Sequence, residues 1–142
     1  MTEQPYIHSL DPFPQETPEH NQLYKFYEFL REGRLTTRQC GKCGEVPWPP
    51  RTVCPNCMSN ELEWVDLPTR GKLYTFTAQY AGVPYMFEAP LMMGMVEFDN
   101  GLRILARIVD ANPEQVDIGT EVEMTVLEIP GNRVMHAFKP VG

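Results

Sequence analysis

Hydrophobic and polar positions change their period along the chain. Between Glu19 and Glu32 the apolar residues Leu23, Phe26, Tyr27 and Leu30 fall at i, i+3, i+4 and i+7, which predicts a short amphipathic helix. Gly33 stands where such a helix would stop. From Gly71 the period drops to two, and GKLYTFTAQY alternates through Leu73 and Phe76. Asp99-Asn100-Gly101 separates LMMGMVEF from LRILARIV. Turns with positive φ select Asn and Gly, so this predicts a hairpin with strands at about 91–98 and 102–109. After Gly119, EVEMTVLEI sets Val122, Met124 and Val126 on one face and Glu121, Glu123 and Thr125 on the other, and Pro130-Gly131-Asn132 turns the chain into RVMHAFK. A strand, a hairpin, a linker too short for a long helix and a second hairpin predict a five-stranded OB-type barrel. An open antiparallel sheet is the plainer alternative.

Two stretches lack either period. Residues 1–18 contain Pro5, Pro12, Pro14 and Pro18, which deny regular hydrogen bonding and favour an extended tail. A loose terminus is the simplest reading, while Tyr6, Ile7, Leu10 and Phe13 are apolar enough for an arm that wraps a partner. Residues 34–69 hold too few large aliphatic side chains for a core of their own, so a bound metal is expected to stabilise them. The chain therefore reads as tail 1–18, helix 19–33, ribbon 34–69 and barrel 70–142, a mainly β protein. The stripe Leu23, Phe26, Tyr27 and Leu30 covers the chain's own core or docks on another subunit.

The ribbon carries the candidate chemistry. Cys40-x-x-Cys43 and Cys54-x-x-Cys57 each place two sulfurs at the tip of a tight turn, and two facing turns give the four-thiolate tetrahedron that zinc prefers. The ten residues between the pairs leave room for two short strands and a bend. A redox dithiol is the competing reading, but it leaves the second CxxC unexplained and lacks a βαβ setting. Iron in the same cage stays open, because thiolates alone do not separate the two metals. A catalytic zinc keeps one position for water, whereas four cysteines close all positions, so one structural ion is expected. The set uses every cysteine of the 142-residue chain.

Other catalytic sets are hard to assemble. The serines are Ser9 and Ser59 and the histidines His8, His20 and His136, and nothing in their spacing joins a base to a nucleophile. His136 reads as an ordinary strand residue. Glu97, Asp99, Glu121 and Glu123 fall on the expected solvated face or in a turn, and no glycine-rich phosphate loop occurs. The apolar fraction of 42% and charged fraction of 22% are those of a folding chain. A net charge of −7 works against general nucleic-acid binding, and four thiolates around one zinc would add −2. Residues 31–72 nevertheless hold seven basic side chains against five acidic ones. With no basic-then-apolar leader at the start and no run of about 18 apolar residues, a cytoplasmic protein is expected.

The run FYEFLREGRLTTRQCGKCGEVPWPPRTVCPNCMSNELEWVDLPTRGKLYTFT resembles the zinc-ribbon and OB-fold acyl-CoA-associated family, whose ribbon is rubredoxin-like. The resemblance rests on the helix leading into Gly-Arg-Leu, CxxCG, Pro49-Pro50-Arg51, CPxC, Glu63-Trp64, Gly71 and Phe76-Thr77, and it continues through MGMVEFDNGLRILARIVD and IGTEV. It implies a non-catalytic accessory subunit of a larger acyl-CoA enzyme, most often a thiolase-type transferase acting on routes such as aromatic-acid degradation, and in related systems an aldolase or a hydratase. The partner would supply the reactive groups, and this chain would help to hold coenzyme A and complete the active-site channel. On that reading Arg51, Arg70 and Lys72, backed by Arg38 and Lys42, are candidates for the coenzyme's phosphates. Tyr80, Tyr85, Met86 and Phe87, in the apolar connection 80–90, are candidates for partner contact or channel lining. The competing function is a single-strand nucleic-acid binder, since barrels of this type also stack bases on aromatic side chains.

Overall fold

The computed structural model describes residue 11, residues 13–84 and residues 87–142. The element order is α1 (Tyr24–Arg31), β1 (Thr36–Cys40), β2 (Leu62–Asp66), β3 (Arg70–Gln79), β4 (Leu91–Glu97), β5 (Arg103–Ile108), β6 (Glu121–Ile129) and β7 (Arg133–Pro140). Strands β1 and β2 form a two-stranded sheet, and the other five close into a barrel in the order β3-β4-β5-β7-β6, with β6 pairing back onto β3. All ladders are antiparallel except β5 to β7, which pairs Arg107 with Ala137 and Ile108 with Phe138 in parallel. That order is the OB-type barrel, so the open-sheet alternative is set aside.

The barrel core follows from the alternation. Leu73, Val96, Ile104, Val122 and Phe138 are all but fully buried, and burying such side chains is worth about 1.5–3 kcal/mol each. At Gly94 on β4 the neighbouring β3 comes so close that a Cβ would lie 2.9 Å from the Thr75 carbonyl oxygen; only glycine fits. The β4–β5 hairpin closes as its sequence asks. Gly101 takes φ 85° and donates its N–H to the Phe98 carbonyl, while Asn100 Oδ1 accepts the Leu102 N–H.

Helix α1 starts later than residue 19, because the Asn21 side chain accepts the Leu23 N–H and donates to the Gln15 carbonyl, fixing a turn before the helix. It ends at a left-handed Gly33 (φ 80°), whose N–H caps the Leu30 carbonyl. Phe26 and Leu30 are buried in the barrel's core cluster beside Leu35 and Leu67, and Tyr27 packs against the same cluster. Of the two readings of the stripe, Phe26 and Leu30 follow the one in which it covers the chain's own core, and Tyr27 is half-buried beside them. Leu23, at the first turn, is partly buried.

The described part of the tail is not loose either. Glu16 is buried, and its carboxylate accepts the Val134 N–H and meets Arg31 at 3.3 Å. The buried Arg133 guanidinium donates to the Phe13 and Pro14 carbonyls and to the Asp11 carboxylate. Burial raises the Glu16 pKa against these stabilising contacts. Phe13 stacks edge-on against Phe87, 5.5 Å between centroids. Tyr6, Ile7, Leu10, Tyr85 and Met86 lie outside the described residues.

Candidate metal centre

Each CxxC turn is built in the same way. Cys40 accepts the Gly44 N–H on its carbonyl and donates its own N–H to the Glu45 carbonyl. Cys54 does the same with Met58 and Ser59. The residue four places on must then be left-handed, and Gly44 has φ 77° where Met58 has φ 63°. The two turns face each other so that the four Sγ atoms lie within 4.8 Å of one another. Cys40 and Cys57 are 3.5 Å apart, as are Cys43 and Cys54. A tetrahedron with zinc–sulfur bonds of about 2.3 Å has edges of roughly 3.8 Å, so the donor set fits one zinc ion. The Lys42 and Cys43 N–H groups point at Cys40 Sγ, at 3.4 and 3.5 Å, and support its thiolate.

Charge is unevenly held across the thiols. The Asn56 side chain and the Glu45 N–H bring Cys43 down to about 6. At Cys57 the Ser59 N–H favours the thiolate, but desolvation and the facing sulfurs outweigh it and push the thiol up to about 12. A metal ion bound here must displace the remaining protons, which makes binding pH-dependent. The four thiolates would fill every position of a tetrahedral ion, so the site is structural and holds the ribbon's shape.

The ribbon strands lie where the sequence reading did not put them. β1 runs into the first cysteine and β2 follows the second pair, while the segment between the pairs has no strand. The ten intervening residues instead carry Trp48 back to the barrel, where it meets Phe26 and His136 edge-on at 5.9 and 5.6 Å. β1 then pairs with β2, Thr36 opposite Asp66 and Cys40 opposite Leu62, which draws the two knuckles together.

The predicted cations divide into groups. Arg38 donates to the Arg51 and Leu62 carbonyls and lies over the Trp64 ring, so it braces the ribbon from within. Arg70 pairs with Glu123 at 3.3 Å, and Lys72 borders a small cavity with Asp99 and Glu121. Lys42 and Arg51 are exposed near the knuckles. Tyr80 is exposed at 67%, and Phe87 is partly buried.

A second concave feature lies on the barrel and was not found from sequence. A groove of about 290 Å³ is walled by Phe87, Leu91, Met93, Leu105 and Met135, with Gln79 and Arg107 among its lining residues. The available signal was Leu91, Met93 and Met95 at alternate positions of β4, which alternation alone assigns to the interior as readily as to the outside.

Fold and site together define a zinc-ribbon protein whose ribbon is joined to an OB barrel. Residues 28–63 match the rubredoxin-like zinc ribbon domain of ChsH2, and residues 64–127 match the C-terminal OB-fold domain of ChsH2. The chain belongs to this ChsH2, or DUF35, family. It is 40% identical over 88 residues to a DUF35 domain-containing scaffold protein of Methanocaldococcus jannaschii, covering 60% of this chain and 62% of that one. It is 37% identical over 95 residues to the benzoylsuccinyl-CoA thiolase subunit BbsA of Thauera aromatica, covering 67% and 65%. The chain thus spans just under two thirds of the length of these two relatives. Among solved structures it resembles the Ltp2–ChsH2(DUF35) aldolase, with a TM-score of 0.72 and 26% identity over 82% of this chain and 91% of that one. Among the described residues, no helix is long and apolar enough to cross a membrane.

Proposed function

We propose that this chain is a non-catalytic zinc-ribbon subunit that acts with a larger acyl-CoA enzyme of the thiolase type, helping to hold coenzyme A at the shared active site. The observation that carries this reading is that all four cysteines of the chain converge on one metal site, leaving no thiol to act as an acyl acceptor. The likeness to a thiolase subunit supports the choice of partner, and the likeness to the aldolase complex makes an aldolase the second candidate. Lys42 and Arg51, exposed on the ribbon, are the cations best placed to meet the coenzyme's phosphates, with Arg70 and Lys72 held back by their acidic neighbours. The location proposed for the complex is the cytoplasm.

The test is co-expression with a thiolase-type enzyme encoded beside this chain. A stable hetero-complex should form, thioester cleavage should require both chains, and Lys42→Glu with Arg51→Glu should weaken coenzyme A binding. Cleavage or condensation of an acyl-CoA by the isolated, metal-loaded chain overturns the reading. A single-strand nucleic-acid role is disfavoured by the same barrel. The face of its second and third strands, where such proteins stack bases, carries Met93 and Leu105, and the net charge is −7.

A further inference from the structure

The N-terminal segment is gripped by donors gathered from distant parts of the chain. The last turn of α1 contributes Arg31, and the start of β7 contributes Arg133 and the Val134 N–H. Among the described residues β7 pairs with β5 only from Ala137 onward, so its outer edge at Val134 has no neighbouring strand. The Glu16 carboxylate accepts that edge N–H at 3.0 Å and also meets Arg31. Arg133 is steadied by its Nε bond to the Pro130 carbonyl, and its other nitrogens donate to the Phe13 and Pro14 carbonyls and the Asp11 carboxylate. The Asn21 amide donates to the Gln15 carbonyl, and the His20 and Asn21 N–H groups donate to the Thr17 carbonyl. Each of these bonds runs from a donor elsewhere in the chain to an acceptor on the segment. Pro14 has no N–H to offer, so the segment is read through its carboxylates and carbonyls rather than through a strand ladder.

The seam is polar and incompletely filled. Glu16 is buried and Phe13 half-buried, but Pro14, Gln15 and Thr17 are exposed. A cavity of about 400 Å³ runs along the seam, with Gln15 and Glu16 on one side and Arg31, Asn132 and Arg133 on the other. Among the described residues, the barrel's core cluster takes none from this segment. Lifting it therefore exposes little apolar area, and regions with few buried apolar contacts open at a lower cost than a core does. Water also regains the Glu16 carboxylate and the Arg133 guanidinium, which offsets part of the lost ion pairing.

We infer that the end of α1 and the β6–β7 hairpin form a recognition site for an extended acidic segment bearing an aromatic residue, and that residues 11–17 are a detachable clasp occupying it in cis. The two guanidinium groups select two carboxylates, Asp11 and Glu16, set on either side of Phe13. The aromatic ring is received by Phe87, 5.5 Å away, and by Arg133, whose guanidinium lies 5.9 Å from its centroid. A segment of another polypeptide with this pattern gains the site by displacing the clasp. Being tethered, the clasp competes at an effective concentration on the order of millimolar, so it acts as an internal competitor that keeps weak partners out.

The experiment uses the full, zinc-loaded chain and a fluorescent synthetic peptide, LDPFPQETP, which copies residues 10–18. Asp11→Asn with Glu16→Gln weakens the clasp while leaving the site intact, and zinc content and melting temperature serve as folding controls. Anisotropy titration should show the peptide binding this double variant at least about tenfold tighter than wild type, where the chain's own segment competes. Adding Arg133→Met, or giving the peptide the same Asp→Asn and Glu→Gln changes, should each remove about tenfold or more of that affinity. Equal peptide binding to wild type and double variant overturns the inference, as does binding that survives Arg133→Met. Loss of zinc or of the folded barrel in the double variant also overturns it, because the segment is then part of the fold and not a clasp. The unmodified chain gives a second reading by amide exchange. Raising salt from about 0.05 M to about 0.5 M should speed exchange at Gln15, Glu16, Thr17 and Val134 by roughly threefold or more, with Val96 and Ile104 unchanged. Equal salt responses at the two sets would mean that the segment opens only with the whole protein, and the inference falls.

Discussion

The ribbon and the barrel solve the same problem by different physics. The barrel excludes water with a continuous cluster that runs through Leu73, Val96, Ile104, Val122 and Phe138. The ribbon's own buried cluster contains just Cys40, Cys54 and Leu62, far too little apolar surface to offset the entropy of ordering about 30 residues at roughly 1–2 kcal/mol each. Its free energy has to come from metal–sulfur bonds, and its specificity from two knuckles with matching hydrogen bonds. The two parts meet where Trp48 from the ribbon and Phe26 from the helix close over His136 on β7. A change in one part should therefore leave the other standing, except at that junction.

The sharpest way to break the contrast is to remove the metal. Cys54→Ser, or a strong chelator, should unfold the ribbon, since structural zinc contributes about 10–16 kcal/mol in small zinc domains. Amide signals of β1 and β2 should collapse while those of β4 to β7 persist. The reverse experiment is Phe138→Ala at the barrel centre, which should cost about 3–5 kcal/mol by denaturant titration. Retained zinc in that variant would show that the ribbon does not depend on the barrel's full packing.

The junction gives an intermediate effect. Burial lowers the His136 pKa to about 4, below the usual value near 6.5. The unfolded chain therefore takes up this proton first as pH falls. Stability should be full above about 6.5, decline between about 6.5 and 4, and lose no more from this group below that, by about 3 kcal/mol in all. His136→Phe should flatten that limb of the melting curve, with metal content followed in parallel. An unchanged acid limb would remove His136 from the account. The smallest effect tests the likeness of the two knuckles. Met58 sits in the left-handed region where its counterpart is Gly44, so Met58→Gly should stabilise the ribbon by up to about 1 kcal/mol, the strain relieved less the added backbone entropy. A loss of stability would mean that the Met58 side chain, although 75% exposed, holds the knuckle by contacts of its own.

What could be read in advance varied with how local its cause was. The hairpin at Asn100-Gly101 and the strands beside it are set by neighbours in sequence, and they lie within a residue or two of where the pattern puts them. The cysteine quartet announced itself because metal geometry constrains spacing. The ribbon strands were misplaced because β1 and β2 are defined by pairing with each other across more than twenty residues. The N-terminal segment looked loose because its anchors, Arg133 and the Val134 N–H, come from the far end of the chain. The groove escaped notice because alternation reports that two faces differ and not which of them a loop will roof.

The sequence by itself determined the four-cysteine metal site, the positions of the turns and the existence of the five barrel strands, since each depends on residue chemistry within a few positions. Tertiary structure alone decided that the helix stripe points inward, that Arg38 braces the ribbon from inside, and that an apolar groove with Arg107 and Gln79 forms on the barrel's outer face. Those outcomes depend on which surfaces meet when the chain closes, and burial and hydrogen-bond satisfaction are settled only there.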